Sequence, residues 1–115
     1  MSKAEELDIQ IEEIPDGVIL RPKGEIDLSC AAMLRKRLSE VQKGKPLRLI
    51  IDLSAVPYMD SSGVATLVEA MQIARRNGSK LVLCALQTKV LAIFEIARLD
   101  MVFKIVDSVE AAAAA

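Results

Sequence analysis

Residues 60–63, Asp60-Ser61-Ser62-Gly63, set a carboxylate and two hydroxyls between an apolar run ending near Asp52 and a stretch with apolar residues at helical spacing. Several chemistries would use that combination. A helix cap needs only an oxygen that accepts from free N–H groups, worth about 1 kcal/mol. A serine nucleophile needs a base to take its proton. The chain has no histidine and no G-x-S-x-G turn, and Asp60 is a weak base at an ordinary pKa. A phosphate cradle would use the helix N-terminus, but the glycine-rich patterns GxxxxGK(S/T) and GxGxxG are both missing. A phosphorylation switch needs a hydroxyl that a kinase can reach. The added charge of about −2 is tolerated by the helix dipole and acts chiefly on any protein docked over it. The last reading is a binding switch, with no catalysis by the chain itself.

Composition narrows the class. The 115 residues suit one domain, 1–115, and 52% apolar content supplies a core. Aromatics are 3%, so that core must be aliphatic. Fifteen basic and sixteen acidic residues nearly cancel, which leaves no footprint for nucleic acid or an anionic membrane. No apolar run approaches the roughly 18 residues that cross a bilayer, and the charged start Met1-Ser2-Lys3-Ala4-Glu5-Glu6 is unlike a signal peptide. A cytoplasmic protein is the expectation. Cys30 and Cys84 lack CxxC spacing; Cys84 reads as a core residue and Cys30 as a residue near a helix start. Without histidine, a His-ligated zinc is excluded, and no motif asks for a metal or cofactor.

The elements that must position residues 60–63 follow from periodicity. Leu7, Ile9 and Ile11 alternate with polar residues, Pro15-Asp16-Gly17 is a turn, and Val18-Ile19-Leu20 makes a second strand, so a hairpin is expected. Asp27 or Ser29 caps a helix whose inner face is Ala31, Leu34, Leu38 and Val41. Gly44-Lys45-Pro46 stops it. Residues 47–53 read as a buried parallel strand. Val64, Leu67, Val68, Met71 and Ala74 line the next helix, which Asn77-Gly78 ends. Residues 80–85 form another strand, and Val90, Leu91, Phe94 and Ala97 mark a third helix. Residues 102–106 form the last strand, and Ser108 caps a terminal helix through the alanine run. The order β-β-α-β-α-β-α-β-α implies an α/β fold with a mostly parallel sheet and an antiparallel N-terminal hairpin strand.

Three segments in order resemble one family. Gly24-Glu25-Ile26-Asp27 looks like the Gly-Glu-aliphatic-Asp that follows the second strand of STAS domains. Ile51-Asp52-Leu53-Ser54 with Tyr58-Met59-Asp60-Ser61-Ser62-Gly63 resembles their phosphorylation segment. Lys80-Leu81-Val82-Leu83-Cys84, followed by Val90, Phe94 and Leu99, resembles their fourth strand and third helix. The likeness spans residues 7–109 and is nearest to the stand-alone bacterial anti-sigma factor antagonists.

That resemblance implies the STAS fold and a partner-switching role. The unphosphorylated protein binds an anti-sigma factor that is a serine kinase of the GHKL type. Phosphorylation of the serine after the aspartate, here Ser61, releases it, and a PP2C-type phosphatase resets it. Asp27, Asp60, Ser61, Ser62 and Gly63 are the implied partner-binding residues. Ser62 is read as a cap rather than the acceptor, and Asp27 equally as a helix cap or a kinase contact. Where the family often has Ser-Gly-Leu after the third helix, this chain has Ala97-Arg98-Leu99. A small STAS scaffold subunit of a signalling complex and a nucleotide-binding protein using the Asp60-Ser61 helix start are the alternatives. A weaker likeness is to receiver domains, with Asp52 as phosphoacceptor. There Pro57 and Asp60 lie too far from Asp52, and a hairpin follows Glu12-Glu13 where a receiver has its first helix.

Overall fold

The computed structural model describes residues 7–115. Five strands, β1 (Asp8–Ile14), β2 (Gly17–Lys23), β3 (Arg48–Asp52), β4 (Lys80–Cys84) and β5 (Lys104–Val106), form one sheet in the order β1-β2-β3-β4-β5. The turn at Pro15-Asp16 folds β1 back on β2, pairing Ile14 with Gly17, so this pair is antiparallel. Every later neighbour is parallel, because a helix carries the chain back each time. The helices are α1 (Leu28–Gln42), α2 (Ser61–Asn77), α3 (Thr88–Ile96) and α4 (Val109–Ala114). The expected order and sheet type are both present.

The apolar runs of β3 and β4 are continuous because both faces of these strands are buried. On one face Leu49, Ile51, Leu81 and Leu83 join Leu34, Leu38, Leu67, Met71, Val90 and Phe94 in the main core under α1, α2 and α3. Phe94 meets Phe103 edge to face at 5.5 Å. On the other face Ile19, Ile50, Val82 and Cys84 pack against Ala112 of α4. The alanine run therefore has a structural job: Ser108 caps α4 by accepting from the Ala111 N–H at 3.0 Å, and the helix covers the second face.

Three expectations need correction. The last strand starts at Lys104, since residues 99–101 form a 3-10 turn after Arg98 takes φ 61°. Phe103 stays outside the ladder and is spent on the core. Ala97 is exposed beyond the end of α3, which reaches only Ile96. α2 ends as expected, on Gly78 in the left-handed conformation at φ 72°.

Candidate functional site

Asp27, Asp60, Ser61, Ser62 and Gly63 come together where two helices start. The loop after β2 and the loop after β3 are stitched to each other by backbone hydrogen bonds. Gly24 N–H donates to Ala55 O at 2.9 Å, Ile26 N–H to Tyr58 O at 3.0 Å, and Asp60 N–H to Ile26 O at 3.0 Å. Ile26 and Met59 make an isolated parallel bridge, and both side chains are fully buried. The N-termini of α1 and α2 are thus fixed side by side.

Each helix is capped by an aspartate. Asp27 Oδ1 accepts from the Ser29 N–H at 3.0 Å and the Ser29 hydroxyl at 2.6 Å. The Asp27 N–H donates in turn to Cys30 Sγ at 3.4 Å, closing a capping box in which a thiol stands where Glu is usual. Asp60 Oδ1 accepts from the Ser62 N–H at 2.9 Å, the Ser62 hydroxyl at 2.6 Å and the Gly63 N–H at 3.3 Å. Asp60 Oδ2 reaches across to accept from the Leu28 N–H at 3.3 Å. One carboxylate therefore serves the first turns of both helices. These bonds, the Ser62 hydroxyl foremost, hold the Asp60 pKa below its ordinary value against the opposing effect of desolvation.

The two serines are now distinct. Of the Ser and Asp oxygens that could cap this helix, Asp60 does so, because its carboxylate can take several N–H groups at once, and Ser62, read as a cap from the resemblance, is one of its donors. Ser61 opens α2, is exposed, and its hydroxyl makes no hydrogen bond among the described residues. Gly63 is buried for packing reasons. A Cβ there would sit 2.6 Å from Met59 Cγ and 2.8 Å from Ile26 Cγ2, so glycine lets α2 lie against the loop before α1.

This arrangement is unsuited to catalysis. A carboxylate with both oxygens occupied and a lowered pKa is a poor general base for Ser61. The N–H groups of Ser62 and Gly63 that would cradle a phosphate already bond Asp60. Asp52 is equally committed: it is only 8% exposed, its Oδ2 accepts from Arg21 Nε at 3.3 Å, and its Oδ1 accepts from the Ser54 N–H at 3.0 Å. Burial pushes both thiols up, Cys84 to about 11 with Asp52 adding to the effect. They are core groups without nucleophilic character.

Two neighbours of Ser61 escaped the sequence reading. Leu28 is 79% exposed and Tyr58 43% exposed. Leu28 lies three residues before Ala31, so helical periodicity counts it with the core. Tyr58 follows Pro57 in a loop, where periodicity has nothing to say.

A model of the STAS domain family matches residues 8–112. The chain belongs to the STAS domain family. Among similar proteins, the anti-sigma-B factor antagonist of Listeria monocytogenes is 34% identical over 100 residues, covering 86% of this chain and 88% of that protein. An anti-sigma factor antagonist from Mycobacterium paratuberculosis shares the STAS fold with a TM-score of 0.89 at 22% identity, over 99% of this chain and 97% of that one. The Bacillus cell fate determinant SpoIIAA, solved in its phosphorylated form, gives a TM-score of 0.72 at 21% identity, over 92% and 96% of the two chains. No helix of this STAS domain, among the described residues, is long and apolar enough to cross a membrane.

Proposed function

We propose that this STAS domain is an anti-sigma factor antagonist switched by phosphorylation of Ser61. The observation that carries the reading is the contrast between adjacent hydroxyls. Ser61 is exposed and uncommitted, whereas Ser62 donates to Asp60 Oδ1 at 2.6 Å. A kinase can approach Ser61 without dismantling a cap. The names of the relatives and the phosphorylated state of SpoIIAA support the same reading.

In the unmodified state the face formed by residues 24–29 and 57–63 binds an anti-sigma factor that is itself a GHKL-type serine kinase. Asp27, Asp60, Ser61, Ser62 and Gly63 shape that face. The kinase transfers the γ-phosphoryl of ATP to Ser61 Oγ; the hydroxyl proton departs and ADP is left. The new dianion sits at the first turn of α2, where the dipole favours negative charge by about 0.3–1 kcal/mol, so the fold survives. An interface closed over it is destabilised by several kcal/mol through desolvation and repulsion with Asp60. The complex dissociates, and a PP2C-type phosphatase returns Ser61 to the hydroxyl.

The test is binding of Ser61 variants to the cognate kinase. Ser61→Ala binds like the wild type and takes no phosphate. Ser61→Asp binds at least about tenfold more weakly, a difference of roughly 1.4 kcal/mol. Equal affinity of the two variants contradicts the repulsion mechanism.

A further inference from the structure

We propose that Leu28 and Tyr58 anchor the complex by seating in an apolar recess of the kinase that modifies Ser61. The inference rests on the switch reading above and adds the chemistry of the partner surface.

Exposed apolar side chains are ordinary when scattered, but Leu28 opens α1 and Tyr58 lies in the loop before α2, on the two segments joined beside Ser61. Leu28 N–H donates to Asp60 Oδ2 at 3.3 Å. Tyr58 O accepts from the Ile26 N–H at 3.0 Å. Their backbones are held in place before any partner arrives, which lowers the ordering cost of binding.

Charge narrows the partner further. Residues 24–29 and 57–63 contain Glu25, Asp27 and Asp60 and no Lys or Arg. An acidic partner surface is therefore repelled. Asp60 spends both oxygens, and Asp27 its Oδ1, on the first turns of the helices. Glu25 is exposed and in no ion pair among the described residues, so basic groups at the rim of the partner surface complement this face, while burial of Leu28 and Tyr58 supplies the apolar part of the association. The behaviour of a phosphate at Ser61 points the same way. In a recess lined with Arg or Lys, a dianion would tighten the complex through charge-assisted hydrogen bonds. In an apolar recess it must be desolvated without a partner, and the complex opens. Release on phosphorylation therefore fits the apolar recess that Leu28 and Tyr58 call for.

Ile96 is the natural control, being 85% exposed at the far end of α3. The other end of that helix, at Gln87, donates to Ser54 O at 2.8 Å, on the side of the stitched loops.

The experiment is titration calorimetry of the full chain against each purified serine-kinase anti-sigma factor from the same organism that phosphorylates Ser61. Leu28→Lys and Tyr58→Ala are each expected to weaken binding by about tenfold or more. Circular dichroism stays at the wild-type spectrum for both; Tyr58, 43% exposed, loses some packing, so binding is measured well below the melting temperature of every variant. Ile96→Lys binds as the wild type does. Raising NaCl from about 0.05 M to about 0.5 M changes the affinity of the wild type and of Tyr58→Ala by the same factor, because Tyr58 carries no charge. Wild-type affinity of Leu28→Lys and Tyr58→Ala, a Tyr58→Ala defect that vanishes at high salt, or loss of binding only in Ile96→Lys each overturns the anchor proposal while leaving the switch intact. Should Leu28→Lys perturb folding, Leu28→Ser gives the same comparison without a new charge. If no such kinase binds or modifies the wild type, the switch reading falls and takes the anchors with it.

Discussion

Ser61 and Ser62 are chemically identical and differ only in what their hydroxyls do. Ser62 is held by Asp60, and Ser61 faces solvent. Asp60 decides this by collecting donors from two helices, which also gives it a testable pH signature. Its folded pKa lies below the ordinary value of 3.8. Its contribution to stability is therefore fully present above that value and is lost as the pH falls through the lower folded pKa. Asp60→Asn keeps an acceptor oxygen but loses the charge. The variant is expected to unfold at lower denaturant than the wild type at pH 7, and the gap should narrow steadily below the ordinary carboxylate pKa. Urea titrations across that range measure the gap; a pH-independent difference would mean that the charge of Asp60 is immaterial.

Elements bring further consequences. Gly63 sits in α2, where alanine is ordinarily better by about 1 kcal/mol. Here the added Cβ would strike Met59 and Ile26, including the Ile26 carbonyl oxygen at 3.1 Å. Gly63→Ala is expected to lose a net of about 1–2 kcal/mol, read from the urea midpoint, because overpacking outweighs the propensity gain. Arg98 presents the opposite case. It holds φ 61° between α3 and the 3-10 turn, a conformation costing a side chain roughly 1–2 kcal/mol. Arg98→Gly removes that strain and gives back part of it as unfolded-state freedom, for a net gain of up to about 1 kcal/mol. A lower midpoint would show that the Arg98 side chain contributes a contact worth more than the strain.

Elements are also where sequence and structure part. Long periodic stretches such as Leu34 and Leu38, or Leu67, Met71 and Ala74, declare their buried faces, and turn residues at Pro15-Asp16-Gly17 and Asn77-Gly78 mark their ends. The stitching of residues 24–27 to residues 55–60 was invisible, because its hydrogen bonds are made by backbone atoms far apart in sequence. Asp60 caps α2 through local bonds from the Ser62 and Gly63 N–H groups, whereas its reach to the Leu28 N–H of another helix is carried by no local pattern. Leu28 keeps the spacing of the inner face of α1 and is nevertheless exposed, so nothing in the pattern marks it out. The terminal alanines read as a capped helix with no assigned role, and their role depends on Ile50, Val82 and Cys84 needing cover on the second face of the sheet.

At the scale of the molecule, the parallel strands β2 and β3 end on one edge, and α1 and α2 begin there. Asp27 and Asp60 close the two helix starts, Leu28 and Tyr58 stand exposed beside them, and the Ser61 hydroxyl is left uncommitted. Neither the main core nor the face under α4 includes Ser61, so a phosphate there leaves folding alone and acts on whatever docks over the edge. The most direct test is phosphosite mapping by mass spectrometry on protein taken from its own cells, with and without phosphatase treatment. The expected result is phosphate on Ser61 that treatment removes, with Ser62 unmodified. A Ser61 that stays unmodified across growth and stress conditions, or phosphate found on Ser62 instead, would contradict the switch.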